Sequence, residues 1–274
     1  MRIDQLLVQR GHAASRSQAQ RLVVAGVGWR LPVPSGNPWR KANKSGDEVP
    51  DHAELQLTDT SESRYVSRGG LKLEGALAAT GVVPHGKLCL DVGQSTGGFT
   101  DCLLQAGAAH VVGVDVGHSQ LHPNLRANPR VSCVEKVNAR ELTAESLVAD
   151  NPIPSSGGRQ KGLKFSLVVG DLSFISQTLV LPALVPLLAD DGDLLMLVKP
   201  QFELQPQDIG KGGLVRDPAL YAQVEQRLRT ACAGIGLTVM GWFDSPITGG
   251  DGNREFFIHA RHGRVDNTCK EGGP

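Results

Sequence analysis

Short apolar runs separated by amphipathic stretches dominate the middle of the chain. Leu88 to Val92, Val111 to Asp115, Val131 to Glu135, Leu167 to Asp171 and Leu194 to Val198 read as strands buried on both faces, and helical patterns lie between them. That alternation predicts an α/β fold with a doubly wound, mostly parallel Rossmann-like sheet. Thr238 to Phe243 and Phe256 to Ala260 read as a closing strand pair joined by the glycine-rich Pro246 to Asn253, and Asp217-Pro218 opens a helix through about Ala233. Nearer the N-terminus, Ile3 to Val8 and Ser15 to Val24 read as two short helices, the second capped by Ser15. The pattern predicts a small α+β domain over residues 1–60, a linker over 61–66, the α/β domain over 67–262 and a frayed tail over 263–274. Ser67 is placed to cap a helix carrying Leu73 and Leu77, with Lys72 turned about 100° from that pair. Asn151 to Lys164, with two prolines and three glycines, reads as a surface insertion.

A length of 274 residues fits a domain and a half. Charge is balanced at 28 basic and 28 acidic residues, so no global field announces nucleic acid. The asymmetry is local: Arg2, Arg10, Arg16, Arg21, Arg30, Arg40, Lys41 and Lys44 face a single acid, Asp4, before residue 46. Five scattered cysteines without a C-x-x-C pair predict reduced thiols and no zinc site or other metal. The most apolar stretch, Leu179 to Leu188, contains two prolines and is too short to span a bilayer. The expectation is a soluble cytoplasmic protein without a membrane partner; nothing in the pattern sets an oligomeric state.

The first strand breaks into Asp91-Val92-Gly93-Gln94-Ser95-Thr96-Gly97-Gly98-Phe99 and then into a helix. Glycines let a ligand approach the backbone, and the helix offers unpaired N–H groups. The spacing is neither G-x-G-x-x-G nor a P-loop. Asp115, at the end of the second strand, suits the two hydroxyls of a ribose. An adenosine cofactor without a pyrophosphate fits best, with S-adenosylmethionine the first candidate; a dinucleotide and a purely structural turn stay open. Asp91, Asp115, Glu135, Asp171 and Lys199 all fall at strand carboxyl ends, where such sheets bind ligands, and Asn138 follows close behind for a purine.

Two resemblances extend this reading. Arg2-Ile3-Asp4-Gln5-Leu6-Leu7 with Ser15-Arg16-Ser17-Gln18-Ala19-Gln20-Arg21-Leu22 resembles an S4 domain, an RNA-binding module that presents arginines to phosphates. That implies Arg2, Arg10, Arg16 and Arg21 as RNA contacts, joined by Arg68 at the entry to the second domain. After Gly26 the expected hairpin is replaced by Trp29 to Pro38, with three prolines. With Val114-Asp115-Val116-Gly117, Asp171-Leu172-Ser173-Phe174-Ile175-Ser176, Val198-Lys199-Pro200-Gln201-Phe202-Glu203 and Gly252-Asn253-Arg254-Glu255 added to the glycine loop, the chain resembles the TlyA (hemolysin A-like) family. Those proteins join an S4 domain to an FtsJ/RrmJ-like methyltransferase domain and methylate cytidine 2'-hydroxyls in ribosomal RNA. Gln94 stands where the family more often has alanine, and Ser63-Arg64-Tyr65-Val66 replaces its tryptophan-containing linker.

The resemblance implies S-adenosylmethionine as cofactor, ribosomal RNA or ribosomal subunits as partner, and a catalytic tetrad of Lys72, Asp171, Lys199 and Glu255. It implies cofactor contacts from Asp91, Gly93, Ser95, Thr96, Gly97, Gly98, Phe99, Asp115, Val116, Glu135, Asn138 and Asp171. A ribose hydroxyl is a weak nucleophile, so a lysine whose proton affinity is lowered by a second cation can serve as base. Lys199 is the choice for the base or for the group that orients the hydroxyl, with Lys72 the second cation. Competing readings are a non-catalytic RNA-binding assembly factor, a membrane-active hemolysin-like protein and, opposed by the loop spacing, a nicotinamide oxidoreductase.

Overall fold

A computed structural model describes residues 1–13, 15–32, 37–57, 64–148, 153 and 162–263. The N-terminal unit opens with helices α1 (Ile3–Gln9) and α2 (Arg16–Gly26) and continues through strands β1 (Val27–Arg30), β2 (Arg40–Lys41) and β3 (Glu54–Leu57). Ser15 Oγ accepts from the Gln18 amide at 3.2 Å, the expected cap. The three strands form an antiparallel sheet ordered β2-β1-β3, with Trp29 opposite both Arg40 and Leu55. The prolines therefore lengthen the β1–β2 connection without abolishing the pairing, contrary to the expectation that the hairpin is replaced. Ile3, Leu6, Leu7, Leu22 and Val27 close a core belonging to this unit alone.

The second unit continues through α3 (Gly69–Thr80), β4 (Leu88–Val92), α4 (Gly98–Gln105), β5 (His110–Asp115), α5 (Pro123–Arg126), β6 (Val131–Glu135), α6 (Ala144–Val148), β7 (Phe165–Asp171) and α7 (Leu181–Leu184). It ends with β8 (Leu188–Val198), α8 (Pro218–Gly234), β9 (Leu237–Asp244) and β10 (Phe256–His262). The seven-stranded sheet runs β6-β5-β4-β7-β8-β10-β9. Strands β6 to β8 are parallel, and β10 runs antiparallel to both β8 and β9. The order reverses at β4, which puts a ligand crevice beyond the carboxyl ends of β4 and β7.

Alternation along each strand feeds a core on each face of the sheet. Leu90, Val112, Val168 and Leu194 pack on one side; Cys89, Val111, Leu167 and Leu195 pack on the other. Asp217 caps α8 through the Ala219 amide at 2.9 Å, as its sequence suggests. Ser67 is not the cap of α3: the flanking residue is Arg68, with no side-chain cap, and the Ser67 hydroxyl lies instead against the start of α4 at Gly98. The helix closes at Gly81, whose φ of 68° turns its N–H onto the Leu77 carbonyl.

Most of the 151–164 insertion, residues 58–63 at the domain junction and the tail beyond Gly263 lie outside the described residues. Among the described residues, no helix is long and apolar enough to cross a membrane.

Candidate active site

Four elements deliver the four charged residues. Asp171 ends β7, Lys199 follows β8, Glu255 precedes β10 and Lys72 lies on α3. The register explains the gathering: Asp171 pairs with Leu197, and Phe256 pairs with Val198. Lys199 is thereby flanked by Asp171 on one side and Glu255 on the other. Lys199 Nζ lies 2.6 Å from Asp171 Oδ1 and donates to Ser173 Oγ at 2.9 Å. Lys72 Nζ lies 2.5 Å from Glu255 Oε2, with the two side chains only 9% and 2% exposed. Burial pushes the Glu255 carboxyl up, opposed by Lys72 and Lys199 and reinforced by Asp171. All four residues thus share one electrostatic neighbourhood. Two cations and two carboxylates balance within it.

Backbone packing holds α3 there. A Cβ on Gly75 would come within 2.6 Å of Pro246 Cγ, so only glycine lets the helix settle against the loop before Glu255. Arg68 Nη2 donates to the Thr248 carbonyl at 2.9 Å and ties the start of α3 to the same loop. Arg68, an expected RNA contact, makes this link through one of its terminal nitrogens.

Two adjoining cavities sit at the ends of β4 and β7. The larger, about 440 Å³, is lined by Gly93, Ser95, Asp115, Val116 and Asn138, with Leu172 and Ile175 as apolar wall. The smaller, about 190 Å³, is lined by Thr96, Gly98, Phe99, Ser173 and Lys199. Asp171, Gly93 and Ser95 border both. Gly93 has φ +85°, and a Cβ there would meet the Asp171 carbonyl at 2.5 Å; the loop passes β7 as closely as a backbone can. Asp115 accepts from the Ser95 and Gly117 amides, both at 2.7 Å, which aims its carboxylate along the cavity wall.

Three expected cofactor residues lie off the cavities. Asp91 is fully buried beneath the loop and accepts from Thr100 Oγ1 at 2.6 Å, while Gln94 Nε2 donates to the same hydroxyl at 2.9 Å. Desolvation raises the Asp91 carboxyl to about 7, against the Thr100 hydrogen bonds, with Asp171 and Asp115 adding to the rise. Glu135 is occupied by Arg126 and by the Ser119 amide at 2.9 Å. Gly97, at φ +96°, packs against Leu121 and Leu125.

Sequence reasoning did not single out Ser173, Phe174 or Gln120, although Ser173 and Phe174 fall within a quoted motif. Phe174 sits in the left-handed region at φ +63°, is 90% exposed, and its ring lies 5.0 Å from that of Phe202. Glu203 supports this corner: it accepts from Ser176 Oγ at 2.6 Å and the Gln177 amide at 2.7 Å, joining the segment after β7 to the segment after β8.

The arginines expected to meet RNA have other partners. Arg2 Nη2 and Arg16 Nη2 lie 2.9 and 3.3 Å from Asp4 Oδ2, and their hydrogen bonds hold that buried carboxyl down at about 2. Arg10 donates to the Ala53 carbonyl at 2.7 Å and to that of Asp51. Arg21 Nη1 donates to the Ser17 carbonyl at 3.1 Å. Each therefore stabilises the small unit, whatever else its remaining N–H groups do.

Comparison with known proteins adds a family model described as FtsJ-like methyltransferase, which matches residues 65–262. The 16S/23S rRNA (cytidine-2'-O)-methyltransferase TlyA of Mycobacterium tuberculosis is 44% identical over 260 residues, covering 95% of this chain and 89% of that protein. Hemolysin A of Brachyspira hyodysenteriae is 36% identical over 259 residues, covering 94% and 99%. A solved structure of a hemolysin-named protein from Streptococcus thermophilus is 38% identical, covers 96% of this chain and 88% of its own, and superposes with a TM-score of 0.70.

Proposed function

The chain belongs to the FtsJ-like methyltransferase family, among its TlyA members, and from that membership we propose that it methylates ribose 2'-hydroxyls of cytidines in ribosomal RNA with S-adenosylmethionine as donor. The observation that carries the reading is the Lys199–Asp171 pair opening onto a cavity continuous with the glycine loop. The residues present suit that cofactor. Asp115 and Asn138 offer acceptors for a ribose and a purine, apolar wall faces them, and Gly93 leaves the backbone open to close approach. When bound, the cofactor supplies an electrophilic methyl group on a sulfonium.

The chain's own side chains handle the proton. A ribose hydroxyl must shed it as its oxygen becomes nucleophilic. Lys199 Nζ, beside Asp171 and Ser173 at the cavity wall, orients that hydroxyl and, as the neutral amine, takes its proton. Lys72 lies behind in the buried pair with Glu255. Asp171 and Glu255 keep both lysines in place. The N-terminal unit, read as an S4 domain, positions the RNA.

Lys199→Ala is expected to lower methyl transfer at least 10²-fold while leaving the calorimetric dissociation constant for S-adenosylmethionine within about twofold. Asp115→Ala should do the reverse, weakening cofactor binding roughly tenfold or more through lost hydrogen bonds. Turnover retained in Lys199→Ala removes Lys199 from the mechanism, and unchanged affinity in Asp115→Ala removes the ribose assignment.

A further inference from the structure

Twin Trp-Arg dipeptides, Trp29-Arg30 and Trp39-Arg40, take no part in the chemistry above. The sheet brings them together crosswise. The Arg30 guanidinium lies 4.6 Å from the centroid of the Trp39 ring, and that of Arg40 lies 5.3 Å from the Trp29 ring. Trp39 rests on the backbone at Gly28, where an added Cβ would stand 3.3 Å from its ring. Lys41 is opposite Gly28, on the same outer face as Arg30; Arg40 is opposite Trp29 and belongs to the other face, and the two faces meet at β2 because it is an edge strand.

These cations differ from the helix arginines in what engages them. Arg2, Arg10 and Arg16 use their terminal nitrogens on internal carboxylates and carbonyls. Arg30 is gripped through Nε, 2.6 Å from Glu54 Oε2, and from one flat side by Trp39, so its outer N–H edge is presented in a fixed orientation. Among the described residues, Arg40 and Lys41 have no carboxylate within ion-pair distance, and both are exposed. A guanidinium stacked on an aromatic ring keeps the fork geometry that matches phosphate, and it gives up less side-chain freedom on binding. Trp39 itself is 40% exposed, an unusual place for that residue without a partner.

We propose that the β2 edge of the small sheet forms a phosphate-gripping rim for RNA, reached from the outer face by Arg30 and Lys41, with Trp39 as backing plate, and from the other face by Arg40, which lies over Trp29. The proposal rests on the reading of ribosomal RNA as substrate and adds a surface distinct from the helix arginines. Contacts of this type position a protein on RNA without reading its sequence, and they make affinity depend steeply on salt.

The test is binding of the full-length chain to naked ribosomal RNA by fluorescence anisotropy across a salt series. R40Q/K41Q is expected to bind about tenfold more weakly at physiological salt and to reduce the slope of log affinity against log salt by about two. W39L, which keeps every charge but releases Arg30, should bind roughly threefold more weakly with an unchanged slope, and W39F should restore binding. Wild-type affinity and slope in R40Q/K41Q overturn the proposal. Unchanged binding to naked RNA with reduced methylation of intact subunits would assign the face to a protein partner, and overturns it equally. A wild-type chain that does not bind ribosomal RNA removes the substrate reading itself, and this surface with it.

Discussion

At the scale of single residues, the least ordinary group is Asp91, a carboxyl with no solvent beneath the loop that cradles the cavities. It is buried near Asp171 and Asp115, which is why it is raised to about 7 from 3.8. An acid whose folded value is raised stabilises the fold fully below its unfolded value, and that contribution is lost as pH rises through the folded value. The window is therefore pH 4 to 7. Asp91→Asn keeps an acceptor for the Thr100 hydroxyl and cannot ionise. Its urea-unfolding stability is expected to gain on the wild type across that window, by roughly 4 kcal/mol at most. Parallel stability curves for the two proteins would show that the Asp91 carboxyl titrates normally. Gln94 completes the chain through Thr100 and adds a donor to the network under the loop.

At the scale of elements, the approach to Glu255 is fixed by one side chain. Asn253 Oδ1 accepts from the Val215 amide, and its Nδ2 donates to the Gly213 carbonyl and to Asp251 Oδ2, all at 2.9 Å. The glycine-rich segment around Lys211 is thus clipped to the loop before β10. Removing the clip leaves a buried Val215 N–H without an acceptor, at a cost of about 1–3 kcal/mol. Asn253→Ala is expected to lose about that much stability and to speed amide hydrogen exchange across residues 210–215 and 249–255, with α1 and α2 unaffected. Unchanged exchange in both segments would mean that the backbone alone holds them.

Elements also show which features the sequence made legible. The five parallel strands were readable because each apolar run is buried on both faces and bounded by turn residues. The site at their carboxyl ends followed from that order, so Asp115, Asp171 and Lys199 stood out. Lys72 did not: its burial depends on Glu255, far away in sequence, and on a Gly75–Pro246 contact that no periodicity encodes. The tetrad was named through resemblance to a family. The arginines of the first unit have partners that the sequence did not show. Helical spacing puts Arg10 and Arg16 on the exposed side, and exposure alone does not reveal that Asp4 and the Ala53 carbonyl engage their nitrogens. In the small sheet, three prolines concealed a strand pair that the Trp–Arg stacks help hold.

At the scale of the whole molecule, two units with separate cores meet across a cleft of about 310 Å³ lined by His12 and Gln18 on one side and Tyr65, His122 and Asn124 on the other. The larger unit holds the cavity, the loop and the four charges; the smaller one has the lopsided charge, eight basic residues against the single acid Asp4 before residue 46. Such a division suits an enzyme whose substrate is far larger than its active site: phosphate contacts bring the RNA, and a single nucleotide enters the crevice. The central claim is the bond that is formed. It is tested most directly by incubating the purified chain with methyl-labelled S-adenosylmethionine and ribosomal subunits or naked ribosomal RNA, then digesting the RNA to nucleosides. Label is expected on 2'-O-methylcytidine and absent with Lys199→Ala; label on a base, or none with the wild-type chain, would contradict the account.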